Sequence, residues 1–439
     1  MTYDYIVIGT GMGGLTIAAL LANKGFKVLS LEAHEYPGGM AHTFPMAKYK
    51  FCAQVHYIMR CGKGQIIDRI LNKLNLNVGF IQLDPEGYDV TCIGKHRYPI
   101  CKGLPKYQER LIEWFPAEEK AIKKYIDIIT KLYNEIESLP EKLTIKDYIR
   151  APFNFPTLIK YQNYTVQKLY NKLRISQRLQ AVLAGQGGDY MLPPNEASLL
   201  AHVGIAAGYD NGSYYPKKHF HYFVEQMVNA IKKDGCDVLF EHEVTKIIVE
   251  NGITKGVKTK NGKTFKAKNV IANVDPKVVA KLIGKENLTR DFKKKINYKY
   301  CHSIYNVYFA VKGLDLRKHG FGSWNIWHHG HDDVNKLYDE MYNEHDYSNP
   351  LLFMSTPTLH TDEPGLAPEG HHIIQAVTGC DYDYFKHLKD TDKHKYNIEK
   401  TKIKNQLINV IEKYYIPKFR NHIVMAIAGT PTTTEHFVW

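Results

Sequence analysis

The first apolar block, residues 4–9 (DYIVIG), is a short β-branched run closed by glycine, which predicts a buried strand. From residue 12 to residue 24 the apolar positions Leu15, Ala18, Ala19, Leu21 and Ala22 recur at helical spacing and stop before Gly25, the usual end of a helix. Residues 26–31 return to strand pattern, so residues 4–32 predict one βαβ unit. Between about residues 65 and 215 the periods lengthen into helices. The clearest spans 116–140, with Glu118 and Glu119 in its first turn and Ile122, Ile126, Ile129, Leu132 and Ile136 along one face. Residues 243–271 switch to strand pattern, and Asn251-Gly252 and Asn261-Gly262 are hairpin turns, which predicts a three-stranded meander. A second mixed region, 285–420, carries a strand near residue 303 and a helix around 397–414. No repeat or low-complexity tract interrupts it.

Length and composition narrow the class without naming a function. The chain has 439 residues, 44% hydrophobic and 23% charged, with 32 Gly and 19 Pro. Those values are ordinary for globular proteins of two or three domains and exclude collagen-like, coiled-coil and disordered chains. No run reaches the roughly 18 apolar residues of a membrane span, and no basic-then-apolar leader opens the chain. Seven scattered cysteines without a C-x-x-C pair argue against a disulfide framework or a structural zinc site. A reducing, cytoplasmic location is the expectation. Lys and Arg number 58 against 45 acids, a formal charge of +13. From sequence, lysines spread over solvated faces explain that excess more readily than an anionic membrane surface does. Nucleic acid is not expected, because no RNA-recognition or zinc-finger spacing is present.

The candidate chemistry sits in the first turn. Gly9-Thr10-Gly11-Met12-Gly13-Gly14 is a G-x-G-x-x-G pattern lying directly between strand and helix, and Glu32 ends the following strand. Gly9 permits the tight turn, Gly11 lets backbone approach a pyrophosphate, and Gly14 lets helix and strand pack closely. The N–H groups of Met12 and Gly13 open the helix where its dipole favours phosphate, and an acid at the position of Glu32 suits a ribose hydroxyl. Gly38-Gly39-Met40 forms a second close-approach loop near the same crevice. Only one such fingerprint is present.

The run DYIVIGTGMGGLTIAALLANKGFKVLSLEAHEYPGGMAHTF resembles the start of the phytoene dehydrogenase and carotenoid isomerase family of FAD-dependent oxidoreductases, most of all its retinol saturase subgroup. The similarity continues through LDPEGYDV (83–90), FPAEEKAI (115–122), GGDYMLPPNEAS (187–198), GSYYPK (212–217) and PTLHTDEPGLAPEGHH (357–372). It implies an α/β fold: a Rossmann-like FAD-binding domain, made of a parallel sheet plus the three-stranded meander, and a discontinuous mixed α+β substrate domain. The corresponding segments are 1–75, 213–284 and 421–439 for the FAD-binding domain and 76–212 and 285–420 for the substrate domain. Val244 is then placed to touch adenine through its backbone. The implied reaction adds or removes hydrogen across carbon–carbon bonds of a carotenoid, retinoid or other isoprenoid polyene, or isomerises it. NAD(P)H is a candidate external electron donor.

Because the cofactor carries the redox chemistry, no catalytic residue is assigned. His56 and Tyr57 are the candidates for moving a proton, set against a histidine held by hydrogen bonds for structural reasons. The run His328-His329-Gly330-His331-Asp332-Asp333 is not read as a metal site, since adjacent side chains in a loop rarely converge on one ion. A lipid substrate gives the basic balance a purpose as a peripheral anchor to the inner face of a membrane, with residues 285–299 as the candidate stretch. Two further readings stay open: an amine-oxidase-like flavoenzyme, and a chain that binds an apolar ligand or partner without turnover.

Three departures from the family pattern are visible. Its Y-P-x-G-G block is here Tyr215-Pro216-Lys217-Lys218-His219, which puts side chains where glycines leave room. Its F-D-x-G-x-H block is here Phe51-Cys52-Ala53-Gln54-Val55-His56. The sequence ends at GTPTTTEHFVW, where relatives continue to a last glycine-rich FAD segment, so this segment is expected to be missing.

Overall fold

A computed structural model describes residues 2–438. Its first sheet has six strands in the order Asp237–Leu239, Val28–Leu31, Thr2–Ile8, Thr264–Ala272, Ile253–Thr259, Val244–Glu250. The first four run parallel, with Ile8 opposite both Leu31 and Ala272, and the last two complete an antiparallel meander. The expected βαβ unit is thus present, and its first strand is joined directly to the last strand of the meander.

Alternation along the strands explains why both faces are covered. Val7 and Val28 face a core that includes Leu15, Ala18 and Ala19 of the helix Met12–Asn23 and Val224, Met227 and Ile231 of the helix His219–Lys233. Ile6, Ile8, Leu29 and Leu31 face the opposite way, onto Val244, Ile247 and Val257.

The second sheet has seven strands in the order Ile423–Gly429, Ser303–Lys312, His371–Cys380, Leu352–Ser355, Asn325–His329, Asp89–Ile93, His96–Ile100. All neighbours are antiparallel except Asn325–His329 with Asp89–Ile93. This places His328 and His329 in a fully buried strand instead of the expected loop. Sequence alone hides this because an imidazole-rich strand has the composition of a polar turn.

A small sheet, with Ser213–Pro216 between Ile58–Met59 and Phe80–Gln82, links the two units. The boundary drawn at 213 therefore opens on a strand outside the nucleotide sheet. Likewise, where the sequence reading returns the chain to the nucleotide unit at 421, the strand Ile423–Gly429 pairs with Ser303–Lys312. Only the helix Pro431–Val438 reaches that unit, with the Phe437 ring against His34 and His42.

Candidate functional site

A cleft of about 520 Å³ opens at the carboxyl ends of the parallel strands, the position at which an α/β sheet takes ligands. Gly9 turns with φ +88°, and a Cβ there would stand 2.8 Å from the Asn273 carbonyl oxygen. Next in the turn, Gly11 precedes the helix Met12–Asn23 and supplies no side-chain cap, and no acid occupies the first helical turn. The leading N–H groups of the helix are therefore left to a ligand or solvent. A Cβ on Gly14 would overlap the Gly9 carbonyl oxygen, so its absence allows the helix to lie against the strand.

The second glycine loop is fastened to the first. Gly38 donates its N–H to the Thr10 carbonyl at 2.8 Å, and a Cβ on Gly39 would lie 3.0 Å from the Gly11 Cα. Glu32, 8% exposed, accepts from the Thr10 N–H at 2.9 Å and the Thr10 hydroxyl at 2.5 Å through Oε2, and from the His34 N–H at 3.1 Å through Oε1. A carboxylate offers about four acceptor positions, so it retains capacity for a further donor.

Gly9, Gly11, Met12, Glu32, Gly38, Gly39, Met40 and Val244 all line this cleft. Gly13 and Gly14 do not. Gly13 faces the Asn273 side chain and an adjoining apolar cavity of about 450 Å³, which shares Met12, Ala41 and Val55 with the cleft. Asn273, Asp275, His242 and Phe437 also line the cleft and were not singled out from sequence. Asn273 was nevertheless legible in principle: it follows the last meander strand, and its N–H bonds the Ile8 carbonyl at 2.8 Å.

The two candidate proton-transfer residues lie outside the cleft lining and point into different surroundings. His56 Nδ1 lies 2.6 Å from Gln375 Oε1, while Gln375 Nε2 donates to the Cys52 carbonyl at 2.7 Å. With the amide so oriented, Nδ1 is the donor and Nε2 keeps a free lone pair. Burial brings the His56 pKa down to about 4, so the ring is neutral near pH 7. It packs on Phe353, with ring centroids 4.9 Å apart.

Tyr57 donates to Asp89 Oδ2 at 2.8 Å. Asp89 also receives Gln186 Nε2 at 2.8 Å and Asn325 Nδ2 at 3.1 Å. Desolvation raises the pKa of Asp89 and of nearby Asp189, and each ring of the Tyr57–Tyr209 pair lies close to this buried polar knot.

At the variant Y-P-x-G-G block the lysines do not fill the interior. Lys217 and Lys218 are exposed, while Tyr215, Pro216 and His219 on either side of them are buried. His219 adopts φ +68°, with Nε2 2.9 Å from the Glu363 carbonyl oxygen and Nδ1 3.3 Å from the Tyr215 hydroxyl. No cluster able to hold a metal ion occurs among the described residues.

A model of the family described as flavin containing amine oxidoreductase matches residues 12–398. The chain belongs to that family. Members are flavin-dependent oxidoreductases, which accounts for a nucleotide cleft assembled from two glycine loops. An all-trans-retinol 13,14-reductase from Danio rerio is 27% identical over 99% of this chain and 76% of its own length. A chloroplastic prolycopene isomerase from an Oncidium hybrid is 25% identical over 99% of this chain and 74% of its own length. Among solved structures, a redesigned putrescine oxidase superposes with a TM-score of 0.68 at 14% identity, covering 100% of this chain and 86% of that one. The retinol saturase and carotenoid isomerase resemblance and the Rossmann-like fold class both stand on these findings. The residues present fit FAD: a side chain at Gly9, Gly14 or Gly39 would crowd backbone, and the uncapped helix faces the cleft. No helix among the described residues is long and apolar enough to cross a membrane.

Proposed function

We propose that this flavin-dependent oxidoreductase acts on carbon–carbon bonds of a hydrophobic polyene, as a saturase, desaturase or isomerase. The observation that carries this reading is the span of the similarity. The retinol reductase and the prolycopene isomerase, whose names both denote polyene chemistry, match 99% of the chain, the non-nucleotide half included. The putrescine oxidase likeness, at 14% identity, speaks for the fold alone.

In this reading the opening of the helix Met12–Asn23, with Met12 at the cleft, receives the pyrophosphate, Glu32 a ribose hydroxyl, and the Val244 backbone the adenine. Gly11, Gly38, Gly39 and Met40 line the approach of the dinucleotide. FAD, when bound, supplies the two-electron chemistry. The protein's own part is to hold the polyene dry and in place. His56, neutral and with a free Nε2, is the group offered for accepting a proton from the apolar interior, while Tyr57 is committed to Asp89 and serves position. NAD(P)H is the proposed external donor if the net reaction is reduction.

The test is to load the purified protein with FAD and incubate it separately with all-trans-retinol and prolycopene, with and without NADPH, resolving products by chromatography and absorbance. A product with one chromophore double bond fewer marks saturation, one more marks desaturation, and a changed isomer of equal mass marks isomerisation. Peroxide release on primary amines, with polyenes returned unchanged, would replace the proposal with an amine oxidase.

A further inference from the structure

The helix Ile145–Asn154 buries none of its residues, yet it is built to be a helix. Thr144 and Asp147 form a reciprocal capping box at its start, with the Thr144 N–H donating to Asp147 Oδ2 at 2.7 Å. Ile145, Tyr148, Ile149 and Phe153 fall at i, i+3, i+4 and i+8 and therefore share one face. They are 80%, 67%, 69% and 85% exposed. Leu139 and Leu143, in the segment leading into the helix, are exposed as well. No other stretch of the described chain gathers so many large exposed apolar side chains.

Contiguous exposed apolar surface of this kind marks a docking site for protein or membrane. The border of the face decides between them. Lys142, Lys146 and Arg150 are exposed, and none of them takes part in an ion pair among the described residues. On the helix, Lys146 and Arg150 flank one edge of the apolar face, while Asp147 is turned back into the capping box. An isologous contact with a second copy would set these cations against one another. An anionic headgroup layer would neutralise them while the face enters the acyl region, and the chain's net charge of +13 favours the same partner.

We propose that Ile145–Asn154 lies in the plane of an anionic bilayer, with Ile145, Tyr148, Ile149 and Phe153 inserted and Lys142, Lys146 and Arg150 at the lipid phosphates. This relocates the membrane contact from residues 285–299. That stretch is basic, but its exposed rings, Tyr298 and Tyr300, are held by hydrogen bonds to Asp275. The inference rests on the polyene reading for its purpose, since a bilayer is where such a substrate dissolves.

The experiment is sedimentation of the full chain with polyene-free vesicles of phosphatidylcholine, with and without phosphatidylglycerol. Binding is expected to need the anionic lipid and to weaken with salt. The paired substitutions Ile149→Glu and Phe153→Glu should lower partitioning at least ~tenfold. Replacing Lys142, Lys146 and Arg150 with Gln should remove most of the salt dependence. Tyr148→Trp should add a fluorescence component that shifts to the blue and is quenched by brominated lipid. The proposal fails if the double variant binds as the parent does. It also fails if only neutralisation of 285–299 abolishes binding, or if sedimentation velocity finds a dimer that the double variant dissolves while neither form binds vesicles. Turnover of polyenes in detergent tests the functional reading separately, so either idea can fall alone.

Discussion

His219 occupies a left-handed backbone position that costs a non-glycine residue on the order of 1–2 kcal/mol. Its side chain offsets this through the Glu363 carbonyl and the Tyr215 hydroxyl. Truncation to Ala keeps the strain and loses the bonds, whereas truncation to Gly loses both. His219→Gly should therefore be more stable than His219→Ala by about 1 kcal/mol in urea unfolding, the reverse of the order in an ordinary helical turn. Equal midpoints would mean that the local backbone relaxes. Gly14 makes the opposite case. Its Cβ would strike backbone, which cannot rotate away, so Gly14→Ala should cost about 1–3 kcal/mol and weaken FAD retention. Both are read by comparing denaturation midpoints and flavin stoichiometry with the parent. The glycine positions were legible in sequence because they act within one turn. The bond between His56 and Gln375 was not, since 319 residues separate the partners and neither has a local signature.

Among elements, two extremes are informative. The strand Ser303–Lys312 is paired along both edges and buried over most of its length. The helix Ile145–Asn154 contributes nothing to a core. Local opening free energies should follow this division. Hydrogen exchange in the absence of lipid should be faster in the helix than in the central strand by about two orders of magnitude or more, and comparable protection in the two would contradict the exposed placement. The sequence patterns located the strand near 303, the meander and the amphipathic helix Glu119–Glu137, because a nearly unbroken apolar run, Asn-Gly turns and a helical apolar period are each local signals. They did not reveal that Asn325–His329 is a buried strand. Its pairing with Asp89–Ile93 is a property of distant segments, and that pairing is what brings Asn325 to Asp89 and completes the knot around Tyr57.

For the whole molecule, pH reports how the interior is made. His56, His202, His219 and His328 titrate at about 4, and His329 and His360 at about 3, all lowered mainly by burial. Unfolded histidines bind protons near pH 6.5. Their contribution is present above that value and is lost as pH falls through 6.5 towards 4, because the unfolded chain then takes up protons that the native state refuses. Asp89 and Asp189, raised by burial, act in the opposite sense: they favour the native state at low pH and lose that contribution as pH rises. Six histidines outweigh two carboxyls between pH 4 and 6.5. Stability should therefore fall on acidification from pH 7 to pH 5, measured by urea midpoints at constant ionic strength, and greater stability at pH 5 would refute this account. Added FAD should raise the thermal midpoint in proportion to its occupancy, by an amount equivalent to about 2.7 kcal/mol at a hundredfold excess over Kd. Glu32→Ala should diminish that shift.

The nucleotide sheet also dictates a timetable. Its founding strand, Thr2–Ile8, is synthesised long before the neighbour that covers its other edge, which ends at Ala272. At about 5–20 residues per second, translation takes on the order of 15–50 s to deliver that neighbour. Until then the βαβ unit waits with one strand edge and its meander-side face bare. Chaperone dependence during synthesis should therefore concentrate on nascent chains shorter than this point, and release should follow the emergence of Thr264–Ala272 from the ribosome.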